Sequence, residues 1–109
     1  MTATERFLKY ITVSTGADDN SLTSPSTERQ KDLSNALAEE MTGMGLVDVH
    51  VDKCGNAIGT LPATPSVKAP VLALVAHVDT APAASGENVK ARIIPYDGND
   101  VELVTIMEE

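Results

Sequence analysis

The chain has 109 residues, enough for one small domain, and its 16 acidic and 8 basic side chains give a formal net charge of -8. This charge repels phosphate backbones and anionic bilayers, so we expect neither nucleic acid nor a membrane as a partner. Aromatic residues make up only 3% of the chain, so any core must be built from aliphatic side chains.

Cysteine usage and the first residues both indicate a cytoplasmic protein. Cys54 is the single cysteine, which excludes an internal disulfide and a thiolate zinc cluster and favours a reducing compartment. The first residues lack the charged head and apolar stretch of a signal peptide. No apolar run approaches the length that spans a membrane.

A short helix and a loop are predicted first. Thr4, followed by an acidic residue, resembles a helix start, and apolar residues at spacings of three and four predict a helix over residues 4–12. Residues 14–25 are small, polar and rich in turn formers, which predicts a loop.

A second, amphipathic helix is predicted over residues 27–43. Thr27 and Gln30 have the spacing of a capping box, and Gly43 or Gly45 can end the helix in the left-handed conformation. The apolar residues expected on its buried face are Leu33, Leu37, Met41 and Met44.

A β-hairpin is predicted next. Residues 47–52 alternate strictly between apolar and polar, residues 53–56 favour a turn, and residues 57–61 form the second strand. His50 points to the polar face with two aspartates, so we interpret it as an exposed strand histidine rather than a metal ligand.

A continuous apolar run over residues 71–76 predicts a strand buried on both faces in the middle of a sheet. Helices must cover such a sheet, so we expect an α/β architecture. The sequence further predicts a loop over 81–90 and a short strand over 92–94. A turn at 97–100 then precedes an apolar stretch over 101–107.

The candidate site lies directly after the predicted buried strand, at His77 and Asp79. Ligands of α/β sheets gather at the carboxyl ends of central strands. Residues two apart on a strand point to one face, so the Asp79 carboxylate can approach the ring of His77, as a carboxylate does behind a metal-bound histidine. A structural pair that caps the strand end explains the pattern equally well.

Five stretches in order resemble the peptidase T family of tripeptide aminopeptidases, within the di-zinc peptidase and aminoacylase superfamily. They are RFLKYITVST, PSTERQ, MTGMGLVDVHVDKCGNAIGTLPA, LVAHVDTAPAASGENVKARII and YDGNDVEL. Together they cover the chain almost to Leu103. The HVDT motif followed by a proline and by SGENVK is specific to this family within the superfamily.

The resemblance implies that the chain is the N-terminal portion, residues 1–109, of an incomplete α/β/α zinc-peptidase catalytic domain. It implies two zinc ions bridged by a water, with His77 as a ligand of one zinc and Asp79 as the catalytic-site residue that clamps its ring. The bridging aspartate, the paired glutamates and the other ligands of the family would lie beyond this chain. We interpret Glu108 and Glu109 as an ordinary chain end rather than as the catalytic glutamate pair.

The chain departs from the family pattern in two places. Arg29 stands where the family usually has glycine, and we expect it on a helix surface without consequence. Ala83 and Ala84 stand where an aspartate often follows the proline, beside the metal.

Three functions remain open. The first is part of a zinc aminopeptidase that releases the N-terminal residue from short peptides, with the piece alone inactive because stable catalytic zinc sites use three protein ligands. The second is a folded, non-catalytic remnant that binds a partner or self-associates as a homo-oligomer through uncovered surface. The third keeps the zinc chemistry but acts on acylamino acids or dipeptides, which the SGENVK block argues against.

Overall fold

A computed structural model describes residues 1–102 of the chain. It contains two α-helices, α1 (Ala3–Tyr10) and α2 (Gln30–Gly43), and two β-strands, β1 (Val47–Val51) and β2 (Ala57–Thr60). The predicted α/β class is confirmed. Part of the predicted apolar stretch at 101–107, from residue 103 on, and the Glu108–Glu109 pair lie outside the described residues.

Helix α1 begins earlier than predicted because Thr2, not Thr4, is its N-cap. The Thr2 hydroxyl accepts from the Glu5 N–H at 3.2 Å, and the Glu5 carboxylate accepts from the Thr2 N–H at 2.6 Å. This reciprocal pair is a capping box, which satisfies backbone donors that the first turn leaves free. All of α1 remains exposed or half-buried, and its Phe7 is 61% exposed.

The capping box predicted for α2 is wrong. Thr27 donates its hydroxyl to the Gly16 carbonyl, and Gln30 donates its amide to the Ser26 hydroxyl, so both side chains are engaged elsewhere. The helix therefore begins at Gln30, with Arg29 as its N-cap. A bond to the loop after α1 and a bond within the turn before α2 have replaced the capping pattern.

The C-terminal end of α2 is as predicted. Gly45 has φ +88°, its N–H donates to the Thr42 carbonyl, and the Leu46 N–H donates to the Met41 carbonyl. These two bonds form a Schellman motif, which favours glycine at the left-handed position. Met44 is the C-cap and is 59% exposed, so the prediction that it fills the core is wrong.

Strands β1 and β2 form the predicted antiparallel hairpin. The register pairs Val47 with Thr60 and His50 with Ile58, so one extra residue of β1 forms a bulge between them. Asp48 within the bulge has φ +52°, which breaks the strict alternation that the sequence suggested.

Helix α2 packs on the hairpin and forms the small core. Leu33 is the buried hydrophobic residue of the described chain, and Ser34 beside it is fully buried. The Ser34 hydroxyl donates to the Gly55 carbonyl at 2.6 Å, which ties the helix to the hairpin turn. A Cβ on Gly59 would lie about 3 Å from the side chains of Leu46 and Met41, so a larger residue in β2 would require these side chains to shift.

The prediction of a buried central strand over residues 71–76 is wrong for this chain. Within the described residues this run belongs to no strand, and its large side chains are almost fully exposed: Val71 97%, Leu72 82%, Leu74 90% and Val75 93%. A strand buried on both faces needs a neighbouring strand and covering helices, and the hairpin and two helices described here supply neither at this position. The short strand predicted at 92–94 is likewise absent from the described chain.

The molecule is more extended than a compact domain of its length. Its radius of gyration is 17.6 Å, compared with about 13 Å for a compact domain of this length. In the part of the chain that the structure describes, no helix is long and apolar enough to cross a membrane.

Candidate functional site

His77 and Asp79 approach each other as their spacing predicts. The ring Nδ1 of His77 lies 3.1 Å from the Asp79 carboxylate oxygen Oδ1 and 2.9 Å from the Asp79 backbone oxygen. Both neighbours of Nδ1 are acceptors, so the neutral ring carries its proton on Nδ1. Nε2 then has a free lone pair, and it has no hydrogen-bond partner among the described residues.

The pair lies at the surface of the described chain. The side chain of His77 is 85% exposed and that of Asp79 is 46% exposed. An imidazole held through Nδ1 with Nε2 accessible is the usual form of a metal-bound histidine. Residues 1–102 contain no group of three or more His, Cys, Asp or Glu side chains that could hold a metal ion. Among the described residues, the geometry of His77 and Asp79 fits a single metal-ligating histidine and the carboxylate that orients its ring.

His50 behaves as an exposed strand residue, as predicted. Its Nδ1 lies 2.8 Å from the backbone oxygen of Asp48, two residues away on the same strand. Cys54, the single thiol, is free and half-buried near the hairpin turn.

The backbone after Asp79 is anchored to the loop that follows α1. Gly16 and Thr80 form a parallel bridge, in which the Ala17 N–H donates to the Thr80 carbonyl at 2.9 Å and the Thr80 N–H donates to the Thr15 carbonyl at 3.2 Å. Thr15 is 3% exposed and Gly16 is buried, whereas Thr80 is exposed, so the bridge ties a surface segment to a buried one. The sequence gives no sign of this contact, because residues 14–25 read as a plain polar loop.

The contacts of Arg29 are likewise not indicated by the sequence. Arg29 is exposed at the N-cap of α2, which agrees with the predicted helix surface, but its Nη1 also donates to the Glu87 carboxylate at 2.8 Å and its Nε lies 3.4 Å from the Gly16 carbonyl. Arg29 and Glu87 are 58 residues apart, so no local pattern signals this pair.

The fold and the site together define a small α/β chain that carries a histidine and a carboxylate in contact at its surface. Its sequence is similar to peptidase T of Geobacillus sp. strain WCH70, with 45% identity over 100 residues that cover 91% of this chain and 24% of the relative. It is also similar to peptidase T of Parabacteroides distasonis, with 39% identity over 103 residues, 94% of this chain and 25% of the relative.

Peptidase T of Aliivibrio salmonicida gives a third match, with 44% identity over 106 residues, 96% of this chain and 26% of the relative. No protein-family model matches the chain. Over the matched residues the chain belongs to the peptidase T family. It spans about a quarter of the length of the curated relatives it matches.

Proposed function

We propose that the chain is part of the catalytic domain of a zinc-dependent aminopeptidase, which releases the N-terminal residue from short peptides such as tripeptides. The observation that carries the proposal is the identity of 39–45% to proteins named peptidase T over nearly the whole chain. The orientation of His77 by Asp79 supports it. A cytoplasmic location suits a chain with a single free thiol.

In this proposal His77 contributes Nε2 as one zinc ligand. The carboxylate and the backbone oxygen of Asp79 accept hydrogen bonds from the His77 Nδ1–H, which fixes the tautomer and raises the basicity of Nε2. A pair of zinc ions, when bound, lowers the pKa of a water and polarises the scissile carbonyl. The remaining ligands would come from the three quarters of the relatives' length that this chain does not match.

The chain alone should then bind zinc weakly and show no peptidase activity, since one histidine cannot replace the usual three protein ligands. Calorimetric titration of the 109-residue chain with zinc, beside His77→Ala and His50→Ala variants, measures this. Low-micromolar or tighter binding that only His77→Ala abolishes would show that the chain or its oligomer holds a complete site.

A chimera tests the activity itself. This chain replaces the matching segment of the Geobacillus relative, and the product is assayed on tripeptides with free and with acetylated amino termini. The proposal requires cleavage that depends on the free amino group. Equal cleavage of both substrates would contradict an aminopeptidase.

One observation favours the second candidate, a non-catalytic piece that self-associates. The large side chains of the 71–75 run are 82–97% exposed, and a contiguous apolar surface of this kind favours association with a second copy of the chain. Sedimentation of the chain over a range of concentrations should then show dimers or larger species. Leu74→Asn should weaken them, whereas Leu22→Asn should not, because Leu22 is an equally exposed but isolated residue.

A further inference from the structure

The exposed segment that follows Asp79 is hydrogen-bonded on one side and has the returning loop close to it on the other. On one side Thr80 pairs with the buried strand-like segment at Thr15 and Gly16. On the other side the loop 81–87 turns back, and a Cβ on Gly86 would lie only 3.0 Å from the Thr80 hydroxyl. Thr80 therefore lies between the Gly16 segment and the returning loop.

Arg29 contacts both of these neighbours. Its Nη1 bonds the Glu87 carboxylate at the end of the loop, and its Nε lies 3.4 Å from the Gly16 carbonyl. The same carbonyl accepts the Thr27 hydroxyl at 2.9 Å, so it is held by two donors from the turn that leads into α2. The planar guanidinium has several fixed donors and can bridge two acceptors at once, which an ammonium group does less well.

We propose that Arg29 is a positioning residue, whose guanidinium holds the loop 81–87 against Gly16 and thereby fixes the backbone from which Asp79 reaches the ring of His77. The proposal goes beyond the peptidase assignment. Its consequence for metal binding rests on the proposed function, whereas the link between Arg29 and the His77–Asp79 pair does not. The role of Arg29 and the proposed peptidase function can therefore be disproved independently of each other.

Amide hydrogen exchange of the complete chain tests the link first. Arg29→Met removes the charge and the donors, and Lys31→Met is its matched control, because Lys31 is a half-buried cation in the first turn of α2 whose ion pair is with Glu28. Exchange of the Ala17 and Thr80 amides should become about fivefold faster in Arg29→Met, the size expected for the loss of an exposed ion pair. The hairpin amides of Gly55 and Asn56 should keep their rates in both variants.

The tautomer of His77 tests the positioning role, which a merely structural ion pair would not affect. Ring ¹⁵N chemical shifts report which nitrogen of a neutral imidazole carries the proton. His77 in the unmodified chain should carry it on Nδ1. In Arg29→Met the proton should redistribute towards Nε2, whereas His50, which has its own backbone acceptor at Asp48, should not change.

Two further variants keep the test decisive if Arg29→Met unfolds. Glu87→Gln alters an exposed side chain and should also speed Thr80 exchange, by less than Arg29→Met does. Arg29→Lys keeps the charge but not the planar donors, so its Thr80 exchange rate should fall between those of Arg29→Met and the unmodified chain. Unchanged Thr80 exchange and an unchanged His77 tautomer in Arg29→Met or Glu87→Gln, relative to Lys31→Met, would overturn the proposal. None of these measurements depends on peptidase activity.

Discussion

The ring of His77 is held by Asp79 through two acceptors, the carboxylate Oδ1 at 3.1 Å from Nδ1 and the backbone oxygen at 2.9 Å. A substitution at position 79 removes the carboxylate but keeps the backbone oxygen, so the contribution of the carboxylate can be measured by itself. The carboxylate supplies the negative charge that makes Nε2 a better ligand.

Asp79→Asn should therefore weaken the proposed site without abolishing it. In the chimera with the Geobacillus relative, we expect retained zinc and kcat/KM on a tripeptide to fall about 10- to 100-fold. Asp97→Asn, at an exposed turn remote in sequence from the site, is the matched control and should change neither. An Asp79→Asn chimera with full zinc content and rate would contradict the role assigned to the carboxylate.

Glu40 links α1 to α2 and should make stability depend on acid pH. Its carboxylate accepts hydrogen bonds from the Tyr10 hydroxyl and from Arg6 Nε, and these bonds lower its pKa below the ordinary value. A lowered pKa in the folded state stabilises the fold above the unfolded-state pKa, and this contribution is lost as the pH falls through the folded-state pKa.

The measurement is the free energy of unfolding of the chain and of Glu40→Gln between neutral and acid pH. The two should differ most at neutral pH and converge in acid. Glu39→Gln, on the adjacent exposed position of α2, should show no such convergence. A difference between the chain and Glu40→Gln that is independent of pH would count against this account.

Ser34 is fully buried, and its hydroxyl donates to the Gly55 carbonyl. Ser34→Ala leaves that carbonyl without its donor, so we expect a loss of about 1–2 kcal/mol in urea unfolding. Thr42→Ala removes an exposed hydroxyl bonded to the Ala38 carbonyl of the same helix, and it should change stability by less than about 0.5 kcal/mol. Equal effects of the two substitutions would show that burial of the Ser34 bond is unimportant.

Gly43 and Gly45 form a matched pair at the end of α2. A Cβ at either position meets no atom within 4 Å, but Gly45 has φ +88° whereas Gly43 is helical. Gly45→Ala should cost about 1–2 kcal/mol from backbone strain alone. Gly43→Ala should stabilise by up to about 1 kcal/mol through helix propensity. Thermal unfolding of both variants measures the difference, and equal shifts would contradict the left-handed cap.

Local structure was largely predictable from the sequence. The alternation in residues 47–52 and the turn after them defined the hairpin, and Gly45 marked the end of α2, because these features depend on neighbouring residues alone. The start of α2 was not predictable. Thr27 fits a capping pattern, yet its hydroxyl bonds Gly16, which only the folded chain brings near.

The larger failure concerns residues 71–76. An apolar run indicates what a strand would prefer to contact, but its burial depends on partners that must be present in the fold. The described chain leaves Val71 and Leu74 at least 90% exposed. The contact of His77 with Asp79 was predictable from their spacing, whereas the Arg29–Glu87 pair and the Gly16–Thr80 bridge join segments distant in sequence.

The most direct test of the account compares the two histidines of this chain in the chimera. We expect His77→Ala to abolish tripeptide cleavage and to lower the zinc content, and His50→Ala to leave both unchanged, with circular dichroism confirming that both variants fold. Tripeptide cleavage that survives His77→Ala at the rate of the unsubstituted chimera would contradict the assignment of His77 as a zinc ligand.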